Sequence, residues 1–146
     1  MNHKQKFSGQ TLIEFALIIP LVLFFIMGFF DLGRAIFYYS SLSNAVRAGA
    51  RSGIVMSFQD LEGDKAKIIS IVEDYAFGIP KSDIDISVFA QKDEKDLIYE
   101  NLTVNAKYCF HPVTPFIAPF VDSCENGDEG IQFNIASVMR IEPRFD

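Results

Sequence analysis

The chain has 146 residues, a net charge of −6, 49% hydrophobic residues, 15 Phe and no Trp. That length leaves room for one small domain besides a membrane element. Residues 1–9 hold two Lys and no acid, a charge of +2, so residues 10–146 carry −8; this acidity gives no electrostatic reason to expect nucleic-acid binding and is accounted for by solubility.

A short basic tail with His3, Lys4 and Lys6 comes first. From Thr11 to Phe30 there is one formal charge, Glu14, among Leu, Ile, Phe and Val, and the charges Asp31 and Arg34 follow the run. About 20 such residues match the hydrocarbon thickness of a bilayer, and basic residues ahead of the run keep the N-terminus in the cytoplasm and send the rest outside. A cleaved secretory signal is the rival reading. Its apolar region is shorter and ends at a small-residue cleavage site, whereas here the run is longer and no such site follows promptly. The segment is therefore expected to stay with the protein as a single membrane pass.

The helical pattern continues past the membrane boundary. Leu32, Ile36, Tyr39 and Leu42 recur at helical spacing with no Pro among them, which predicts a helix from about Thr11 to about Met56, some 70 Å long. Pro20 removes one backbone donor and kinks or opens the preceding turn, an arrangement a membrane helix tolerates where neighbours resupply the carbonyl. Ser41, Ala45, Gly49 and Gly53 fall four apart and form a small-residue stripe, the type of surface that lets helix backbones approach closely. Its occupant is either the chain's own head or another subunit. Arg47 and Arg51 share a different face.

"DLEGDKAKIISIVEDYAFGIP" predicts a shorter helix with Ile68, Ile71, Val72 and Tyr75 on its apolar face and Gly78 with Pro80 as the stop. Alternation then marks three strands: Ile84, Ile86 and Val88; Leu102, Val104, Ala106, Tyr108 and Phe110; Ile131, Phe133 and Ile135. "QKDEKD" reads as a charged turn and "HPVTPFIAPFVDSCENGDEG" as a loop. The expected fold is α+β: a long N-terminal transmembrane helix leading into a small extracytoplasmic head, with one helix and a roughly three-stranded antiparallel sheet. With two cysteines only one intramolecular pairing exists, Cys109 with Cys124. An oxidising compartment favours it over two free thiols.

No catalytic constellation is legible. There is no CxxC, no Gly-rich phosphate loop and no G-x-S-x-G. The expected topology puts His3 and His111 on opposite sides of the membrane. "NLT" at Asn101 matches a glycosylation acceptor but falls inside a predicted strand. Neither enzymatic activity nor a cofactor or metal is expected.

Ser8 and Gly9, followed by Gln10, Thr11, Leu12, Ile13, Glu14 and Phe15, resemble the processing site of type IV pilins and pseudopilins. Glu14 is fifth counting from Gln10. The stretch Gly9 to Gly53 is more closely similar to TadE-like proteins, minor pilins or pseudopilins of tight-adherence (type IVc) systems; Glu14 to Pro20 and the pair Ala50 and Arg51 are its more specific parts. The head resembles that family in layout, with much less motif specificity.

The resemblance implies a structural protein with a basic cytoplasmic leader (1–9), a hydrophobic helical module (10–56) and an extracytoplasmic head (57–146). It implies cleavage after Gly9 by a prepilin peptidase, and partners among other pilin or pseudopilin subunits, inner-membrane pilus assembly proteins and the lipid bilayer. An intramembrane acid normally has a partner or a function. After cleavage, the new α-amine of Gln10 would pair with Glu14 of a neighbour and set axial register; the plain alternative is a Glu14 that reaches the cytoplasmic interface and does nothing. The rival to the whole reading is an uncleaved, membrane-anchored binding or envelope-sensing protein.

Overall fold

Helix α1 runs unbroken from Ser8 to Gly53, 46 residues and about 69 Å at 1.5 Å per residue. In the computed structural model, which describes residues 8–56, 61–92, 99–114, 124–125 and 127–141, it is followed by α2 (Leu61–Tyr75), a 3₁₀ turn (Lys81–Asp83) and strands β1 (Ile84–Lys92), β2 (Tyr99–Phe110) and β3 (Ile131–Arg140). The basic tail through Phe7, the charged turn beyond Lys92 and residues 115–123 of the long loop lie outside the described residues. Expected and observed architecture agree: a long apolar N-terminal helix, one further helix and a three-stranded antiparallel sheet in the order β1-β2-β3.

The register puts one apolar face on the sheet. Ile84 pairs with Tyr108, Ile86 with Ala106 and Val88 with Val104; across the other seam Leu102 meets Met139, Ala106 meets Ile135 and Tyr108 meets Phe133. All five alternating β2 residues from Leu102 to Phe110 are buried. Asp85, Gln132 and Asn134, on the opposite face, are exposed, as period-two alternation requires. The distal half of α1 and all of α2 cover the apolar face, joining Leu42, Ala45, Val46, Ala50, Ile68 and Val72 to the strands in one core.

The two helices form an antiparallel hairpin. Gly53 lies beside Ile68, Gly49 beside Val72 and Ser41 beside Phe77. Glu62 and Asp64 in the first turn of α2 complement its N-terminal dipole, and Arg51 does the same at the end of α1. Past Tyr75, Gly78 takes φ of 83° and Pro80 follows, a left-handed step that glycine makes without a Cβ penalty.

The inner face of α2 differs from the expected one. Ile68 and Val72 are fully buried and Ile71 half-buried, but Tyr75 is 63% exposed. The buried row is Asp64, Ile68, Val72 and Ala76, a strict four-residue step. That row faces α1 because Gly49 and Gly53 open a groove that the branched side chains of Ile68 and Val72 fill, and Tyr75 is rotated off it.

Candidate assembly surface along helix α1

The first half of α1 is apolar around most of its circumference, and among the described residues its large apolar side chains stay exposed. Leu12, Phe15, Leu17, Leu21, Phe25 and Phe29 are all exposed. The helix is long and apolar enough to cross a membrane, and its most apolar stretch has no part buried inside the protein. A helix that is hydrophobic on every side needs a lipid or protein surround. Pro20 lies within this half, leaving the carbonyl of Ala16 without the N–H that position 20 would have supplied.

At the N-terminal end Gly9 and Gln10 are helical and exposed, and among the described residues nothing beyond the helix's own backbone and chain neighbours stands within 4 Å of where a Cβ on Gly9 would be. The Gln10 amide Nε2 donates to Glu14 Oε1 at 3.1 Å, a contact between residues four apart on one helix face. Both residues of the processing resemblance are thus open to approach, and Glu14 is paired along its own helix.

The stripe of small residues further along has a different surround. Ala45 has no exposure, and Cβ atoms built on Gly49 and Gly53 would overlap Val72 Cγ2 and Leu102 Cδ2. Ser41 Oγ donates to the carbonyl of Phe77 at 2.9 Å. All four residues meet the chain's own head. The helical row read from Leu32, Ile36, Tyr39 and Leu42 divides: Leu42 enters the core, while the other three stay exposed and continue the apolar band of the membrane half. Tyr39 also meets the Phe133 ring edge-on at 5.7 Å.

Between these two halves stands a junction that the sequence did not reveal. Asp31, the first residue past the apolar run, is only 6% exposed. Its carboxylate accepts from the backbone N–H of Val113 at 3.0 Å, the N–H of Thr114 at 2.6 Å and the Thr114 hydroxyl at 2.5 Å. Arg34 completes the pairing at 3.2 Å and lays its guanidinium over the rings of Tyr38 and Phe110, 5.8 and 5.3 Å from their centres. Asp31 and Arg34 read in sequence only as charges flanking the span. The contact crosses 83 residues, and no local pattern announces it.

At the same end of the head Cys109 and Cys124 are disulfide-bonded, with Cα atoms 6.0 Å apart. Next to them Glu125 accepts from Lys107 Nζ at 2.5 Å and from Gln132 Nε2 at 3.2 Å. The Lys107 hydrogen bond, followed by that of Gln132, holds the Glu125 carboxyl below its usual range; the same contact raises the Lys107 ammonium. Burial pushes the Tyr108 phenol up. An open depression bordered by Asp83, Asp85, Lys107 and Glu125 lies here, its cation already engaged by Glu125. Among the described residues no group of three or more His, Cys, Asp or Glu could hold a metal ion.

Residues 9–51, nearly the whole of α1, match the family model described as TadE-like protein. This is the family that the same stretch resembles by its motifs. No curated protein and no solved structure matches the chain.

Proposed function

We propose that the protein is a minor-pilin-like structural subunit associated with a tight-adherence pilus, made as a single-pass membrane precursor with its N-terminus in the cytoplasm and its head outside. A prepilin peptidase cuts after Gly9, and the shortened chain enters or initiates a pilus-like filament together with other pilin subunits and inner-membrane assembly proteins. The observation that carries this reading is the coincidence of the TadE-like match with the helix whose apolar half the chain leaves uncovered. A surface of that size is stable only in lipid or against other helices, and a pilin uses both in turn.

In this reading Glu14 changes partners. Before cleavage it accepts from Gln10 of its own helix; afterwards the new α-amine at Gln10 of a neighbour competes for it, and the charge–charge contact is worth more in a low-dielectric surround. Pro20 gives the helix a place to yield as it leaves the bilayer.

The test is the intact mass and N-terminal sequence of the protein from membranes of its native host, beside a Gly9→Trp variant. A wild-type chain beginning at Gln10 and a full-length variant are the expected result. Two uncut chains would replace this reading with a membrane-anchored binding or envelope-sensing protein.

A further inference from the structure

From the junction at Asp31 we infer that the segment His111–Thr114 seats the head in the outer headgroup layer of the bilayer that holds α1, with Val113 as the residue that enters it. The inference rests on the membrane-spanning reading of α1. Thr11 to Phe30 covers about 30 Å of helix, one hydrocarbon thickness, and no charge stands between Glu14 and Asp31. Asp31 therefore marks the outer boundary of the span.

Val113 donates its backbone N–H to that same carboxylate at 3.0 Å, so it lies within a few Å of the boundary, and its side chain is 66% exposed. Phe29, Phe30 and Leu32 are exposed at the same level of the helix. Val113 thus extends the apolar band of the span sideways, onto the head. Thr114, in contrast, is buried and turned inward to Asp31.

The chemistry of Asp31 fits such a position. A carboxylate at the edge of a bilayer loses part of its hydration and is costly unless its oxygens are satisfied. Two backbone N–H groups, a hydroxyl and Arg34 supply four contacts. The carboxylate can stay buried at the boundary, and in exchange it fixes the depth and tilt at which the head meets the membrane. The headgroup layer, where polar backbone and small apolar side chains coexist, suits an exposed Val beside a hydrogen-bonded turn better than bulk water does.

The absence of Trp from the chain permits a direct test. Single-Trp variants Val113→Trp, Phe30→Trp and, on the outer face of the sheet, Phe89→Trp are reconstituted as full chains in phosphatidylcholine vesicles, with and without lipids brominated near the headgroup end of the acyl chains. The expected result is that Phe30→Trp and Val113→Trp lose comparable shares of their emission to bromine while Phe89→Trp loses none. Adding Asp31→Ala, or the milder Thr114→Val, lowers the quenching of Val113→Trp and leaves that of Phe30→Trp unchanged. Quenching of neither Phe30→Trp nor Val113→Trp would remove the spanning helix on which the inference rests. Quenching of Phe30→Trp without Val113→Trp would overturn the headgroup seat alone; if Val113→Trp emission is then blue-shifted, another subunit covers this edge. Quenching of Val113→Trp that survives both added substitutions would overturn the role of Asp31.

Discussion

Replacing Gly49 by Ala separates the two possible uses of the small-residue stripe. In an exposed helix interior the change is favourable, by up to about 1 kcal/mol, because alanine is the better helix former. Here the new Cβ would overlap Val72 Cγ2 and come within 3.5 Å of Ile68 Cγ2. Val72 is fully buried, and as a β-branched residue it has few rotamers to retreat to. Overpacking a well-filled core costs about 1–3 kcal/mol; an overlap on a fully buried side chain belongs to the upper part of that range, so after the helix gain the net loss is about 1–2 kcal/mol.

For a domain of the head's size that lowers Tm by roughly 4–16 °C. Thermal unfolding of the full chain in detergent, followed by near-ultraviolet circular dichroism from the core tyrosines and phenylalanines, reads it directly. Gly33→Ala is the control: among the described residues nothing beyond the helix's own backbone and chain neighbours lies within 4 Å of its added Cβ, so the head should melt as wild type or higher. A Gly49→Ala chain that melts with wild type but fails to assemble would refute the reasoning and assign the stripe to another subunit.

The disulfide and the ion pair beside it give two further expectations. Cys109 and Cys124 stand 15 residues apart, and closing such a loop contributes about 3 kcal/mol in the chain-entropy model; Cys109→Ser with Cys124→Ser should therefore lower the head's Tm by about 12–24 °C, and coincident melting of the two chains would remove the stabilising role. The hydrogen bond from Lys107, followed by that from Gln132, holds the Glu125 carboxyl below its ordinary value in the folded state. Its contribution is thus present above the unfolded value and lost as pH falls through the folded one. The stability difference between wild type and Glu125→Gln should be small, as for any exposed pair, and should vanish on acidification; a difference that grows in acid would contradict the assignment.

What the sequence made legible follows from range. Strands β1 and β2 were readable because alternation is a property of neighbours: Ile84, Ile86 and Val88, then Leu102 to Phe110, declare their inner face without knowing what covers it. Helix α1 was readable because apolar residues on every side and a four-residue repeat of small ones are local facts. The face of α2 was readable only in part. Ile68 and Val72 fit any helical face, but choosing Ala76 over Tyr75 depends on the groove at Gly49 and Gly53, a feature of another helix. The Asp31 junction was not readable at all. Its partners lie 82 and 83 residues away in a segment that reads as an ordinary loop, and a carboxylate beside Arg34 has the look of a simple flanking charge.

The same geometry bears on how a filament of such subunits would be built. The head consumes the distal part of α1: Leu42, Ala45, Val46 and Ala50 are all in its core, and the glycines of the stripe touch α2 and β2. What remains for neighbours is the band from Gln10 to Tyr39, where Leu12 through Phe30 and then Leu32 and Ile36 stay exposed. That band is more than half of the helix, and each Å² of its apolar surface removed from water returns about 25 cal/mol. Contacts between subunits in the proposed filament therefore belong to the membrane half of α1, with Glu14 near one end of the band. The small-residue stripe, which by spacing alone looks like the best helix-packing surface in the chain, packs against the head of its own chain.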